Sequence, residues 1–218
     1  MRIAIAGAGN VGRAIARELL DNGHQVLLID KDPKALKLES VPDAEWLMAD
    51  ACEITSLDNA HLNNCQVLVA ATGDDKANLV TSLLGKTEYG VPRVVARINH
   101  PKNEWLFDSS WGVDVAVSTP RIISALVEEA VSVGDVVRLF SFRKGQANLV
   151  ELTLPDGSAC IGKTVEEIEL PENAALAAIV RDGRVITAKP HDVFAAGDEL
   201  PFVASADAEA QIKSCFIS

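Results

Sequence analysis

Residues 2–12 read R-I-A-I-A-G-A-G-N-V-G, an aliphatic run that passes directly into glycines at positions 7, 9 and 12. A short apolar run containing β-branched residues suits a strand buried on both faces of a parallel sheet. The glycines then serve three demands that a Cβ would obstruct: a tight turn, close approach of the backbone to a pyrophosphate, and close packing of the next helix on the strand. Over 11–21, Val11, Ile15 and Leu19 recur every four residues, Arg13, Arg17, Glu18 and Asp21 take the other faces, and Asn22-Gly23 stops the pattern. This predicts an amphipathic helix whose N-terminal N–H groups and dipole face the glycine turn.

The same alternation continues outward. Strand-like runs recur at 25–29, 45–49, 65–70, 93–97 and 113–117, with helical or turn segments between them. A helix over about 75–89 carries Ala77, Val80, Leu83 and Leu84 on one stripe and stops at Gly90 and Pro92. Six strands joined by crossovers predict an α/β fold, a Rossmann-type doubly wound parallel sheet with both faces covered. After the sixth strand, Pro120 sits at a helix start, and Ile122, Ile123, Leu126, Val127, Ala130 and Val131 form a stripe wider than one sheet face can cover. That excess predicts burial against a second subunit or against the following domain.

Gly134-Asp135 breaks the pattern, and the expected domains are 1–134 and 135–218. The second shows short strands at 136–142, 149–154, 177–181, 184–188 and 200–204, a short helix near 165–168 and a terminal helix over 207–215, a small α+β domain. Asp182-Gly183 between two apolar runs predicts a tight hairpin. Pro201 is placed at a strand start, where its missing donor costs least.

Composition removes several classes of function. The 218 residues carry 20 Lys plus Arg against 31 Asp plus Glu, a formal charge of -11, so phosphate backbones and anionic membranes are repelled. The sequence contains neither a signal-peptide pattern nor 18 consecutive apolar residues, which predicts a cytoplasmic protein with no direct membrane insertion. Cys52, Cys65, Cys160 and Cys215 lack ligand spacing and read as free thiols, with no metal site expected. The histidines His24, His61, His100 and His191 fall in turns or helix ends and Tyr89 is the only tyrosine, so the proton relay of a dehydrogenase is missing and no catalytic residue is assigned.

The candidate site is a nucleotide-binding crevice. Gly7, Ala8, Gly9, Asn10, Val11 and Gly12 form its phosphate loop. Asp30 ends the second strand at the spacing of about 20 residues where an acid accepts ribose hydroxyls and repels a 2′-phosphate; the alternative is a turn or capping carboxylate before Pro33. Lys31 adjoins it. Asp50-Ala51-Cys52 ends the third strand, at the adenine end of the crevice, with a helix cap as the alternative role of Asp50. Ala71-Thr72-Gly73-Asp74 follows the fourth strand, and Arg97 at the end of the fifth is either a phosphate ligand or the ion-pair partner of a nearby aspartate.

Together G-A-G-N-V-G, Ile29-Asp30, Ala49-Asp50-Ala51, A-T-G-D-D at 71–75, A-R-I-N at 96–99 and G-V-D-V-A-V at 112–117 resemble the TrkA/KtrA family, regulatory subunits of Trk/Ktr-type potassium uptake systems. L-P-D-G-S at 154–158, I-G-K-T-V at 161–165, R-D-G at 181–183 and A-G-D-E-L at 196–200 extend the likeness to the C-terminal domain. The resemblance implies an RCK_N (KTN) domain followed by an RCK_C (TrkA-C) domain, NAD(H) or an adenine nucleotide (ADP or ATP) in the crevice, a homo-oligomer, and a membrane potassium transporter as partner. It implies a cytoplasmic protein held at the inner membrane face by that partner. Asn10 stands where some members carry a phosphate-reaching arginine, and Thr119-Pro120-Arg121 stands where many carry Pro-Glu. The alternative function is a small NAD-dependent oxidoreductase.

Overall fold

A computed structural model describes residues 1–131, 133–142 and 147–217 of the chain. The chain divides into two compact units, Met1–Pro120 and Arg121–Ser218. That division falls ahead of the boundary expected at 134, because the helix leading out of the first unit groups with the second.

In the first unit the elements are β1 (Arg2–Ala6), α1 (Asn10–Asp21), β2 (Gln25–Asp30), β3 (Glu45–Met48), α2 (Ile54–Asn59), β4 (Val67–Ala70), α3 (Asp75–Thr87), β5 (Arg93–Ile98) and β6 (Val115–Ser118). The six strands form one sheet in the order β3-β2-β1-β4-β5-β6, and every neighbouring pair is parallel. The doubly wound α/β fold is therefore present, with its strand order reversing between β1 and β4.

Alternation along β1 and β2 feeds two cores. Ile3, Ile5, Val26 and Leu28 meet Ala16, Ile15 and Leu19 on one face, whereas Ala4, Ala6, Leu27 and Ile29 meet Leu57, Leu62 and Leu68 on the other. Burial of both faces by apolar side chains is the main stabilising contribution to this unit. Gly85 of α3 lets that helix lie on β4, since a Cβ there would come within 2.3 Å of Leu68.

Helix α4 (Thr119–Val131) follows β6. Ile123, Leu126, Val127 and Val131 on it are exposed, Val131 by 72%. The side chain of Ala130 lies outside the described residues.

The second unit contains β7 (Val136–Ser141), β8 (Asn148–Thr153), β9 (Ala174–Leu176), β10 (Ile179–Arg181), β11 (Arg184–Ile186), β12 (Glu199–Ala204) and α5 (Ala206–Phe216). Its sheet is antiparallel, in the order β11-β10-β12-β8-β7 with β9 also on β12. Ala208, Ile212 and Phe216 of α5 are buried with Val150, Leu152 and Phe202 of the sheet. Phe216 meets Phe194 and Phe202 edge to face at centroid distances of 5.4 and 5.6 Å. A turn from Thr164 through Glu167 forms a capping box.

Two local signals acquire physical reasons. Asp182 and Gly183 both adopt positive φ, 51° and 71°, between paired Arg181 and Arg184, the geometry a two-residue hairpin requires. The strand expected over 177–181 is confined to β10, with β9 a separate strand ahead of it, and Pro201 explains the gap between the two. It lies inside β12 and not at its start; its carbonyl accepts from Ala177 N, and with no N–H to return it interrupts the ladder between Glu199, opposite β10, and Phe202, opposite β9.

Candidate functional site

The C-terminal ends of β1, β2, β3, β4 and β5 border a cleft of about 530 Å³ at the point where the strand order reverses. Gly7, Gly9, Asn10 and Val11 line one wall, Asp30, Lys31, Asp50, Ala51 and Cys52 a second, and Ala71, Thr72, Gly73, Asp74 and Arg97 a third. Fourteen of the sixteen candidate residues are thus brought together. Ala8 and Gly12 do not line the cleft: both are buried behind the loop, where they shape it.

The glycines divide their tasks. Gly7 has φ of 103°, and a Cβ on it would lie 2.8 Å from Thr72 N, so the turn can close only on glycine. A Cβ on Gly12 would lie 1.8 Å from the carbonyl oxygen of Gly7, which ties the first turn of α1 to the end of β1. Gly9 has an ordinary φ of −66° and open space where its Cβ would project. Its lack of a side chain keeps cleft volume free and is not required for folding.

Asp30 is anchored as well as exposed to the cleft. Its Oδ2 accepts from Ala8 N at 2.8 Å and its Oδ1 from Asp32 N at 2.9 Å, so the carboxylate both holds the glycine loop and terminates its own turn. Each oxygen retains a lone pair for a further donor. Asp50 does not cap α2, whose N-cap is Glu53. Its Oδ1 accepts from Cys52 N at 2.9 Å and its Oδ2 pairs with Lys31 at 3.0 Å; these two contacts, the first the larger, hold its carboxyl below the usual range. The Cys52 thiol sits near Ala77 O and Thr81 Oγ1, and burial pushes its pKa up, so it is a poor nucleophile.

The third wall rests on a buried amide. Asn78 accepts from Thr72 N at 2.9 Å through Oδ1 and donates to Arg97 O at 2.9 Å through Nδ2, joining the ends of β4 and β5. Asp74 caps α3 by accepting from Lys76 N, and the neighbouring Asp75 receives Asn99 N, His100 N and the side-chain amides of Asn99 and Asn103. Arg97 pairs with no carboxylate among the described residues, and its buried Nε has no hydrogen-bond partner. An N–H donor left unpaired beside a cleft is free to meet an anionic acceptor.

Sequence reasoning missed Ile29, Ala49, Ala77 and Thr81, which also line the cleft. Ala77 and Thr81 share one face of α3 at four-residue spacing, and only the docking of α3 beside β4 turns that face toward the cleft. The lining contains neither histidine nor tyrosine. Among the described residues no cluster of three potential metal ligands occurs, and no helix is long and apolar enough to cross a membrane.

A doubly wound sheet with a glycine-rich loop and an acid at the switch-point cleft, followed by a small antiparallel domain, defines a two-domain protein of the dinucleotide-binding type. The TrkA-N domain family matches residues 3–119 and the TrkA-C domain family residues 149–216. The Trk system potassium uptake protein TrkA of Mycobacterium tuberculosis is 55% identical over 212 residues, covering 97% of this chain and 96% of that one. A TrkA homolog of Methanothermobacter thermautotrophicus is 29% identical over 95% of both chains. The chain belongs to the TrkA family of Trk-system potassium uptake proteins.

Among solved structures, the GsuK channel bound to NAD aligns over 98% of this chain and 39% of its own, with a TM-score of 0.68 and 17% identity. The AMP-bound C-terminal domain of Shewanella denitrificans Kef aligns over 60% of this chain and 80% of its own, with a TM-score of 0.52 and 21% identity. Both are likenesses of fold.

Proposed function

We propose that this protein is a nucleotide-sensing regulatory subunit of a potassium uptake transporter and performs no chemistry itself. The observation that carries this reading is the 55% identity to a Trk system protein across both domains, in a chain whose switch-point cleft keeps the glycine loop and Asp30 together. NAD(H) or an adenine nucleotide such as ADP or ATP is the expected ligand. Its diphosphate would lie over Gly9, Asn10 and Val11, its adenosine ribose would donate to Asp30, and Arg97 would meet a further anionic group. The bound species contributes charge and shape, and the protein's residues bind and orient it.

Binding regulates only if the ligand has different affinities for two conformations of an assembly. We assign the first unit, residues 1–120, to nucleotide binding and the second, residues 121–218, to assembly and regulation. The exposed apolar side of α4 is the surface through which copies of the chain associate, and the transporter is the membrane partner that holds the assembly at the cytoplasmic face. The -11 charge opposes direct adsorption to an anionic bilayer, which leaves a protein partner as the route to the membrane.

A thermal-shift panel with NAD, NADH, ADP and ATP tests the ligand reading. At least one of them raises the melting temperature of the full chain in a concentration-dependent way if the proposal holds. No shift with any of the four contradicts it. Potassium flux through a co-purified transporter in liposomes, with and without the stabilising nucleotide, tests the regulatory step: equal flux in both conditions contradicts it.

A further inference from the structure

The periodicity of α1 places Arg13 on a polar, outward face, yet it is only 8% exposed. Its guanidinium folds back beneath the glycine loop, where Nη1 donates to Ala8 O and, at 3.4 Å, to Ala35 O, while Nη2 donates to Asn10 Oδ1 at 2.8 Å. It pairs with no carboxylate among the described residues. A cation buried without a counter-ion is costly unless something nearby compensates it. The cleft one turn away is where an anion would do so.

A guanidinium has donors and no acceptor, so only the oxygen of the Asn10 amide can face it. That fixes the flip of the amide on chemical grounds. Asn10 lines the cleft, and its Nδ2 makes no hydrogen bond among the described residues, so the loop's one polar side chain keeps two unused N–H donors at the cleft wall. Left alone, an exposed asparagine would rotate freely and offer donor and acceptor alike.

We infer that Arg13 is a positioning and specificity-determining residue of the proposed nucleotide site: it locks Asn10 as a donor-only group and supplies buried positive charge beneath the phosphate loop, selecting phosphorylated over unphosphorylated adenosine ligands. This deepens the proposed function and rests on it for the identity of the ligand. The locked amide itself does not.

Calorimetric titration of the full chain with NAD, ADP and adenosine tests it, using Arg13→Met, Arg13→Lys, Asn10→Leu and the double variant Arg13→Met/Asn10→Leu. Arg13→Met should weaken NAD and ADP by about tenfold to a hundredfold, the size of a lost charge-assisted hydrogen bond, while changing adenosine little. Arg13→Lys should recover part of the loss, and the double variant should lose less than the product of the single effects, because Arg13 acts partly through Asn10. Equal weakening of all three ligands, or fully multiplicative losses, would overturn the inference in favour of a general structural role. Should the wild type bind none of the three, the nucleotide reading fails separately; the side-chain amide resonances of Asn10 in the ligand-free protein then decide the lock. They should shift and broaden in Arg13→Met, and unchanged resonances would overturn it.

Discussion

Gly12 lies so close to Gly7 that a Cβ on the former would stand 1.8 Å from the carbonyl oxygen of the latter, whereas Gly9 between them faces open space. Three glycines of one motif therefore answer to different constraints. Gly12→Ala should cost at least about 3 kcal/mol of stability, since backbone and not a movable side chain blocks the methyl group. Gly9→Val should leave the melting temperature nearly unchanged and abolish nucleotide binding. Chemical denaturation and calorimetry on both variants check the contrast, and an equally destabilised Gly9→Val would remove it.

Asp30→Ala should have two separable effects. Loss of the acceptor for Ala8 N and Asp32 N should lower stability by about 1 to 2 kcal/mol, and loss of the ribose acceptor should weaken nucleotide binding by about 1 to 3 kcal/mol. Affinity measured well below the melting temperature isolates the second effect. Unchanged affinity would confine Asp30 to its role in the turn.

Asp75 predicts part of the acid sensitivity. Burial pushes its carboxyl up, but donors from Asn99, Asn103 and His100 outweigh burial and hold it below the ordinary value of 3.8. Because the folded value is the lower one, this contribution to stability is present above the ordinary value and is lost as pH falls below it through the folded value. Asp75→Asn should cost about 2 to 3 kcal/mol at neutral pH and flatten the fall in stability as pH drops from about 4 downward. Urea denaturation across that range measures both, and identical slopes for variant and wild type would contradict the assignment.

The parallel sheet was legible because its strands are buried on both faces and so appear as unbroken aliphatic runs. The strands 2–6, 25–29 and 93–97 agree with β1, β2 and β5 to within one residue. Cleft residues that follow strands were legible for the same reason: once a strand end is located, topology puts the next residues at the switch point. Arg13 was not, since helical periodicity records which side of an axis a residue occupies and not that a long side chain at the first turn can fold back under a loop. Nor was the split of β9 from β10, which depends on the missing N–H of Pro201 on a strand distant in sequence. The sequence around Asp50 fits both a cleft residue and a helix cap, and its contacts with Cys52 and Lys31 fit a turn at the cleft wall.

Assembly is predicted to run through α4. Leu126 on this helix is 52% exposed beside similarly exposed Ile123 and Val127, an apolar surface that a lone chain would leave in water. Leu126→Asp should cost several kcal/mol of association, on the order of the desolvation of an unpaired carboxylate, and should give folded species of lower mass in light scattering. A wild type that is monomeric at micromolar concentration, with and without nucleotide, would contradict the regulatory assembly.

The central claim is that the cleft between the glycine loop, Asp30 and Arg97 takes a nucleotide. Isothermal titration calorimetry of the full chain with NAD, NADH, ADP and ATP measures it most directly, with Gly9→Val as the control that fills the cleft and spares the fold. The account predicts saturable binding of at least one of these nucleotides to the wild type and none to Gly9→Val. Absence of binding to the wild type, or undiminished binding to Gly9→Val, would contradict it.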